Sequence, residues 1–167
     1  FLERNEVNNT FYLAKTKSFD SQLYFCCAQH RLFLEILNKP DIDFIGGVVI
    51  NSKGIVGQII NDKGFQETLL LTDADHVLPI VSGQYFCNAK GSGTPEKISC
   101  TYSSLIWPNK IIKGQNFYSS GLGGVYPRGI LIGHVSKIEN IDDTLVRLEI
   151  NLVSSPIQEN TFGVLEP

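Results

Sequence analysis

Gly46-Gly47-Val48-Val49-Ile50-Asn51-Ser52-Lys53-Gly54-Ile55-Val56 decides the fold class. Two β-branched runs flank a short polar stretch that ends in glycine. Such a stretch predicts a hairpin, because glycine supplies the turn conformation that other residues resist. The pattern recurs downstream, where Asn61-Asp62-Lys63-Gly64 precedes Leu69-Leu70-Leu71. Further out, Ile141-Asp142-Asp143 separates two more strands. The second of these, Leu145 to Leu152, alternates cleanly. Val146, Leu148, Ile150 and Leu152 face one way and Arg147, Glu149 and Asn151 the other, as expected of a strand with one wet face.

Upstream, Leu23 to Ala28 and Arg31 to Leu37 are apolar and rich in aromatics, and they read as strands. The first stretch, Phe1 to Ala14, reads as the end of a helix whose body lies further upstream. Many short strands, little helix and 15 glycines favour an all-β chain built of sandwiches or barrels. One hairpin can be written in register. Tyr85 opposite Tyr102, Cys87 opposite Cys100 and Ala89 opposite Ile98 put six residues on one face, with Gly91-Ser92-Gly93-Thr94-Pro95 in the loop. The other face carries Phe86, Asn88, Ser99 and Thr101. Cys87 and Cys100 are then neighbours, either as a disulfide in an oxidising compartment or as two packed thiols. Cys26-Cys27, read on a strand, points its two side chains to opposite faces in a structural role. Phe86 stands out on a polar face, as a contact with a second sheet or as part of a partner site.

The chain has 167 residues, enough for one domain or two very small ones. With 14 basic and 17 acidic residues, net charge −3 and no basic patch, it does not fit a nucleic-acid or anionic-membrane surface. It has no apolar run near the ~18 residues of a membrane span. It contains no Met, not even at its first position, which leads us to expect a fragment or a processed product.

A chymotrypsin-like β-barrel hydrolase is the leading enzymatic alternative, since His30, His76, His134, several aspartates and Ser119-Ser120 are present. The Gly-Asp-Ser-Gly-Gly setting of that nucleophile is absent, and Asp75 and His76 are adjacent rather than suitably spaced. Asp73-Ala74-Asp75-His76 lacks the glycine and final glutamate of a calcium loop and reads as a solvated turn. Gly121-Leu122-Gly123-Gly124 has no following Lys-Ser/Thr, so it is a weak phosphate cradle. No catalytic, cofactor or metal residues are assigned.

The run Ser119-Ser120-Gly121-Leu122-Gly123-Gly124-Val125-Tyr126-Pro127-Arg128-Gly129-Ile130-Leu131-Ile132-Gly133-His134-Val135 strongly resembles the signature of the MreC family of rod-shape proteins. Asn51 to Ile60, Leu69-Leu70-Leu71-Thr72-Asp73, Ile112 to Ser120 and Leu145 to Leu165 resemble further family segments in the family's order. Gly114-Gln115 and Asn38-Lys39-Pro40 depart from the family's Gly-Asp and Lys-Gly turns. The resemblance covers the chain from about Lys17 to Pro167. It implies two small β-domains, the second inserted in the first, following a coiled-coil helix. By this reading 1–14 ends that helix, 15–65 plus 140–167 form the first domain, and 66–139 the second.

The resemblance also implies a non-catalytic scaffold of the cell-elongation complex on the periplasmic, extracytoplasmic face of the inner membrane. A transmembrane helix outside this sequence would anchor it. The implied partners are the transpeptidase penicillin-binding protein 2, MreD, MreB, a RodA-type polymerase and a second copy of the chain, held mainly through the coiled coil. No nucleic acid or small-molecule substrate is implied. Ser120, Gly121, Gly123, Gly124, Pro127, Gly129 and Gly133 are expected to shape the signature loop. Phe86, Leu122 and Tyr126 are the candidate partner contacts, the latter two alternatively caps of a barrel end.

Overall fold

A computed structural model of the chain describes residues 11–107 and 110–167. Among these, the elements run β1 (Phe11–Phe19), α1 (Ser21–Cys26), β2 (Arg31–Ile36), β3 (Val48–Ile50), β4 (Ile55–Asn61) and β5 (Gln66–Leu70). Then follow β6 (Val77–Ser82), β7 (Tyr85–Gly91), β8 (Lys97–Ser103), β9 (Asn116–Ser119), β10 (Leu131–Asn140), β11 (Leu145–Leu152) and β12 (Thr161–Leu165).

The strands close two antiparallel barrels. The first has the order β1-β12-β3-β4-β5-β2 and the second β10-β11-β8-β7-β6-β9. Strands β1 to β5 precede the second barrel and β12 follows it, so the second is inserted in the first. Closure pairs the outer strands that an open sheet would leave bare.

The opening hairpin explains how the barrels join. Val48, Val49 and Ile50 are all buried, although neighbours on a strand face opposite ways. Val49 packs inside the first barrel with Phe44, Val56 and Phe162. Val48 and Ile50 point the other way and, with Ile55, Leu71 and Leu165, join the core of the second barrel. A strand covered on both faces loses its alternation, which is why this one reads as an unbroken apolar run. Each such side chain contributes about 1.5–3 kcal/mol when fully buried. The turn is fastened by Asn51, whose Oδ1 accepts from the amides of Lys53 and Gly54 at 2.9 and 3.1 Å.

Several expectations are corrected. Phe11 to Ala14 open β1 rather than end a helix, because their backbone pairs with β12. The rest of that expected helix lies outside the described residues. Leu23 to Ala28 is not a strand: α1 forms there, and the Asp20 carboxylate caps it by accepting from the Leu23 amide at 3.0 Å. A short apolar run does not distinguish the two structures, and the cap decided it. Cys26 and Cys27 therefore sit at a helix end, joined by a vicinal disulfide.

The expected domain limits also shift. β5 pairs with β2 and β4 in the first barrel, and β11 pairs with β10 and β8 in the second. The chain thus crosses between barrels at 71–76 and returns at 153–160. In the β7–β8 hairpin, Lys90 lies opposite Ser99 and Gly91 opposite Ile98, two residues from the expected register. A shift of two preserves which face each side chain takes, so hydrophobic pattern alone does not detect it. The predicted face survives, with Ala89, Ile98 and Cys100 buried, and Cys87 is bonded to Cys100 with Cα atoms 6.2 Å apart.

Candidate functional site

The crossing from first to second barrel gathers a cluster of buried polar side chains. Thr72, Asp73 and His76 are buried there. One oxygen of Asp73 accepts from the His30 amide at 2.8 Å and from Arg31 Nε at 3.2 Å. Its other oxygen accepts from the Asp75 amide at 2.8 Å. Arg31 also reaches Glu67 at 3.0 Å. The carboxylate is thus satisfied by the start of β2 and by its own turn, as a buried charge requires. Gly91 lies against this crossing so closely that a Cβ there would meet the Asp73 carbonyl oxygen at 1.8 Å. Only glycine fits.

His76 connects the crossing to the signature loop. Its Nε2 lies 2.5 Å from the Tyr126 hydroxyl. Burial pushes the imidazole down to about 4, against the opposing pull of the Asp73 charge. Its Nδ1 has no partner among the described residues. Burial also pushes the Tyr126 phenol up. Tyr126 is therefore corrected as a partner contact. It is 5% exposed and ties the loop to the crossing.

The loop itself is a folded turn between β9 and β10. Ser119 Oγ donates to the Pro127 carbonyl at 2.5 Å and accepts from the Ile130 amide at 3.0 Å. Ser120 Oγ accepts from the Leu122 amide at 3.2 Å. Gly121, Gly123, Gly124 and Gly129 all take positive φ. Gly133 permits close strand packing, since a Cβ would meet the Asn151 carbonyl oxygen at 2.1 Å. Leu122 and Val125 remain exposed at the tip, at 57% and 43%.

The hydroxyls and imidazoles do not form a nucleophile relay among the described residues. His30 Nδ1 lies 2.6 Å from Thr72 Oγ1 and its Nε2 2.7 Å from the Cys27 carbonyl. His76 faces Tyr126, and His134 is exposed on β10 opposite Asn116 and Asn151. Trp107 packs at 4.0 Å on Tyr102 and 4.9 Å from Tyr85, against the second barrel's core.

Phe86 is half exposed on the outside of the second barrel, and it is not alone there. Register places it opposite Val81, Val81 opposite Tyr118, and Tyr118 opposite Leu131. Residues directly opposite share a face. An apolar row thus crosses β7, β6, β9 and β10. Phe86 and Tyr118 are 50% and 38% exposed. On β6, Val77 and Pro79 extend the same face. Sequence reading missed Val81, Tyr118 and Leu131. The available signal was a strand apolar on both faces, since Leu78 and Ile80 fill the inward positions.

The family model of "Rod shape-determining protein MreC, barrel core" matches residues 44–160, which holds the crossing, the signature loop and the apolar row. The chain belongs to the MreC family. The cell shape-determining protein MreC of Escherichia coli K12 is 33% identical over 109 residues, covering 62% of this chain and 29% of that protein. The MreC of Haemophilus influenzae is 31% identical over 101 residues, covering 60% and 29%. The chain therefore spans less than a third of the curated MreC relatives it matches. Among solved structures, MreC from Pseudomonas aeruginosa shares the fold at TM-score 0.73, with 22% identity over 94% of this chain and 99% of that one. A complex between penicillin-binding protein (PBP2) and MreC from Helicobacter pylori matches at TM-score 0.68, with 16% identity over 94% of this chain and 98% of the matched one.

Proposed function

We propose that this chain is the extracytoplasmic scaffold portion of a cell-shape protein, and that it binds and regulates the transpeptidase penicillin-binding protein 2 without itself catalysing a reaction. Membership in the MreC family carries this reading. The matched Helicobacter pylori complex supports the choice of partner. In this reading the chain works on the periplasmic side of the inner membrane, alongside MreD, MreB and a RodA-type polymerase. Pairing with a second copy runs mainly through a coiled coil outside this sequence.

The partner surface we favour is the apolar row led by Phe86 and Tyr118, with Leu122 at the loop tip as a second contact. Aromatic anchors dominate many interfaces, and the rigid barrel beneath presents them with little ordering cost. The buried crossing and the Tyr126–His76 pair hold this surface and do not touch the partner. Regulation is by population shift. A scaffold that prefers the open transpeptidase raises its open fraction by the ratio of the two affinities.

The test adds the purified chain to the matching transpeptidase with its polymerase and follows crosslinking activity and transpeptidase conformation. The reading expects a saturable change in both, lost with Phe86→Ala. Saturable binding that leaves activity and conformation unchanged sinks the regulatory role.

A further inference from the structure

Two disulfides in one small protein do different things here. Cys87–Cys100 spans a sequence separation of 13 inside the second barrel, and Cys100 is fully buried. By chain entropy, a loop of that size contributes about 3 kcal/mol. Cys26–Cys27 joins adjacent residues, so it closes almost no chain and gains almost nothing by that route. Both of its cysteines are exposed, as are Leu23 and Phe25 beside them. Global stability explains the first bond and leaves the second unexplained.

The vicinal bond sits at the start of a turn with long-range connections. The Cys27 amide donates to the Leu23 carbonyl at 3.0 Å, ending α1. The Cys27 carbonyl lies 2.7 Å from Nε2 of the buried His30. His30 in turn touches Thr72 through Nδ1 and Asp73 through its amide. Ala28 accepts from the Ala74 amide at 3.0 Å, and the Thr72 carbonyl accepts from the Gly93 amide at 2.9 Å. A Cβ on Gly93 would meet Ala28 Cβ at 3.0 Å. The turn at 27–30 is thus wedged between the inter-barrel crossing and the β7–β8 loop.

We propose that Cys26–Cys27 is a reversible thiol–disulfide exchange site for a dithiol reductant, and that opening it loosens the 27–30 turn from the crossing between the barrels. One thiolate of the reductant attacks either sulfur, breaking the Cys26–Cys27 bond and forming a mixed disulfide. The reductant's second thiolate then displaces the remaining cysteine. Two electrons pass to the cysteines, each sulfur takes one proton, and the reductant leaves as its own disulfide.

The test holds the oxidised chain in graded mixtures of reduced and oxidised dithiothreitol, quenches exchange with acid, alkylates the free thiols in denaturant so that the buried Cys100 is reached too, and maps the labelled cysteines by mass spectrometry. Cys26 and Cys27 are expected to be labelled together at a reductant ratio at least about tenfold below that for Cys87 and Cys100. In the reduced form, amide exchange at His30, Ala74 and Gly93 is expected to quicken at least about tenfold. The double variant Cys26→Ser, Cys27→Ser should exchange quickly with no reductant present, its Cys87–Cys100 bond still protected as proof of folding. Labelling of all four cysteines at one ratio, or equal exchange at Ala74 in both redox states, overturns the proposal. The wild-type comparison decides the matter even where the variant fails to fold.

Discussion

Lowering the pH from about 7.5 to about 5 charges an unfolded histidine but leaves a deeply buried one neutral. His76 is such a group, held down to about 4 by burial, with Asp73 opposing and Nδ1 unpartnered. The unfolded chain takes up this proton as pH falls through 6.5, and the folded chain takes it up only near 4. The contribution is therefore fully present above 6.5 and is lost as pH falls from there toward 4. At about pH 5 the unfolded imidazole is roughly 97% protonated and the folded one about 10%, which works out at about 2 kcal/mol of lost stability. Urea unfolding of the disulfide-intact chain at the two pH values measures this loss. Parallel unfolding of His76→Gln, which keeps a polar partner for Tyr126 but cannot titrate, removes the background from carboxylates such as Asp62, whose pKa burial raises but Gln66, Phe44 and Lys39 hold below its usual value. The wild type should lose about 2 kcal/mol more than the variant. Equal losses would refute the assignment of a neutral, water-excluded imidazole at the crossing.

Tyr126→Phe leaves His76 Nε2 unpaired in a buried site and should cost about 1–3 kcal/mol in denaturant unfolding, with partner affinity unchanged. Gly91→Ala forces a methyl into the Asp73 carbonyl and should lower stability by at least about 2 kcal/mol, read as a fall in Tm. Cys87→Ser with Cys100→Ser should cost about 2–4 kcal/mol by the same unfolding measurement.

The all-β class was legible because each hairpin announces itself locally, as at Asn51 to Gly54 and Asp142 to Thr144. Face assignment was legible too, since period-two patterning fixed the inward side of β8 and β11. What escaped depended on partners distant in sequence. Patterning does not tell which barrel owns β11, and a two-residue slip in the β7–β8 hairpin leaves its pattern intact. α1 escaped because its six residues rest on one capping carboxylate. At the candidate site, Phe86 was visible as a lone aromatic on a polar face. Its neighbours Val81 and Tyr118 were not, because the row exists only across strands. Tyr126 looked like a surface anchor until His76, fifty residues away, supplied its burial partner.

The most direct test of the scaffold account is titration calorimetry of this chain against the extracytoplasmic part of the matching penicillin-binding protein 2. The account predicts saturable binding that Phe86→Ala and Tyr118→Ala each weaken about tenfold or more, while folding stability stays within about 0.5 kcal/mol. Leu13→Ala, an exposed change on the first barrel, should leave affinity unchanged. Binding that ignores both aromatic substitutions would contradict the assigned surface, and absence of binding by this portion would contradict the central claim.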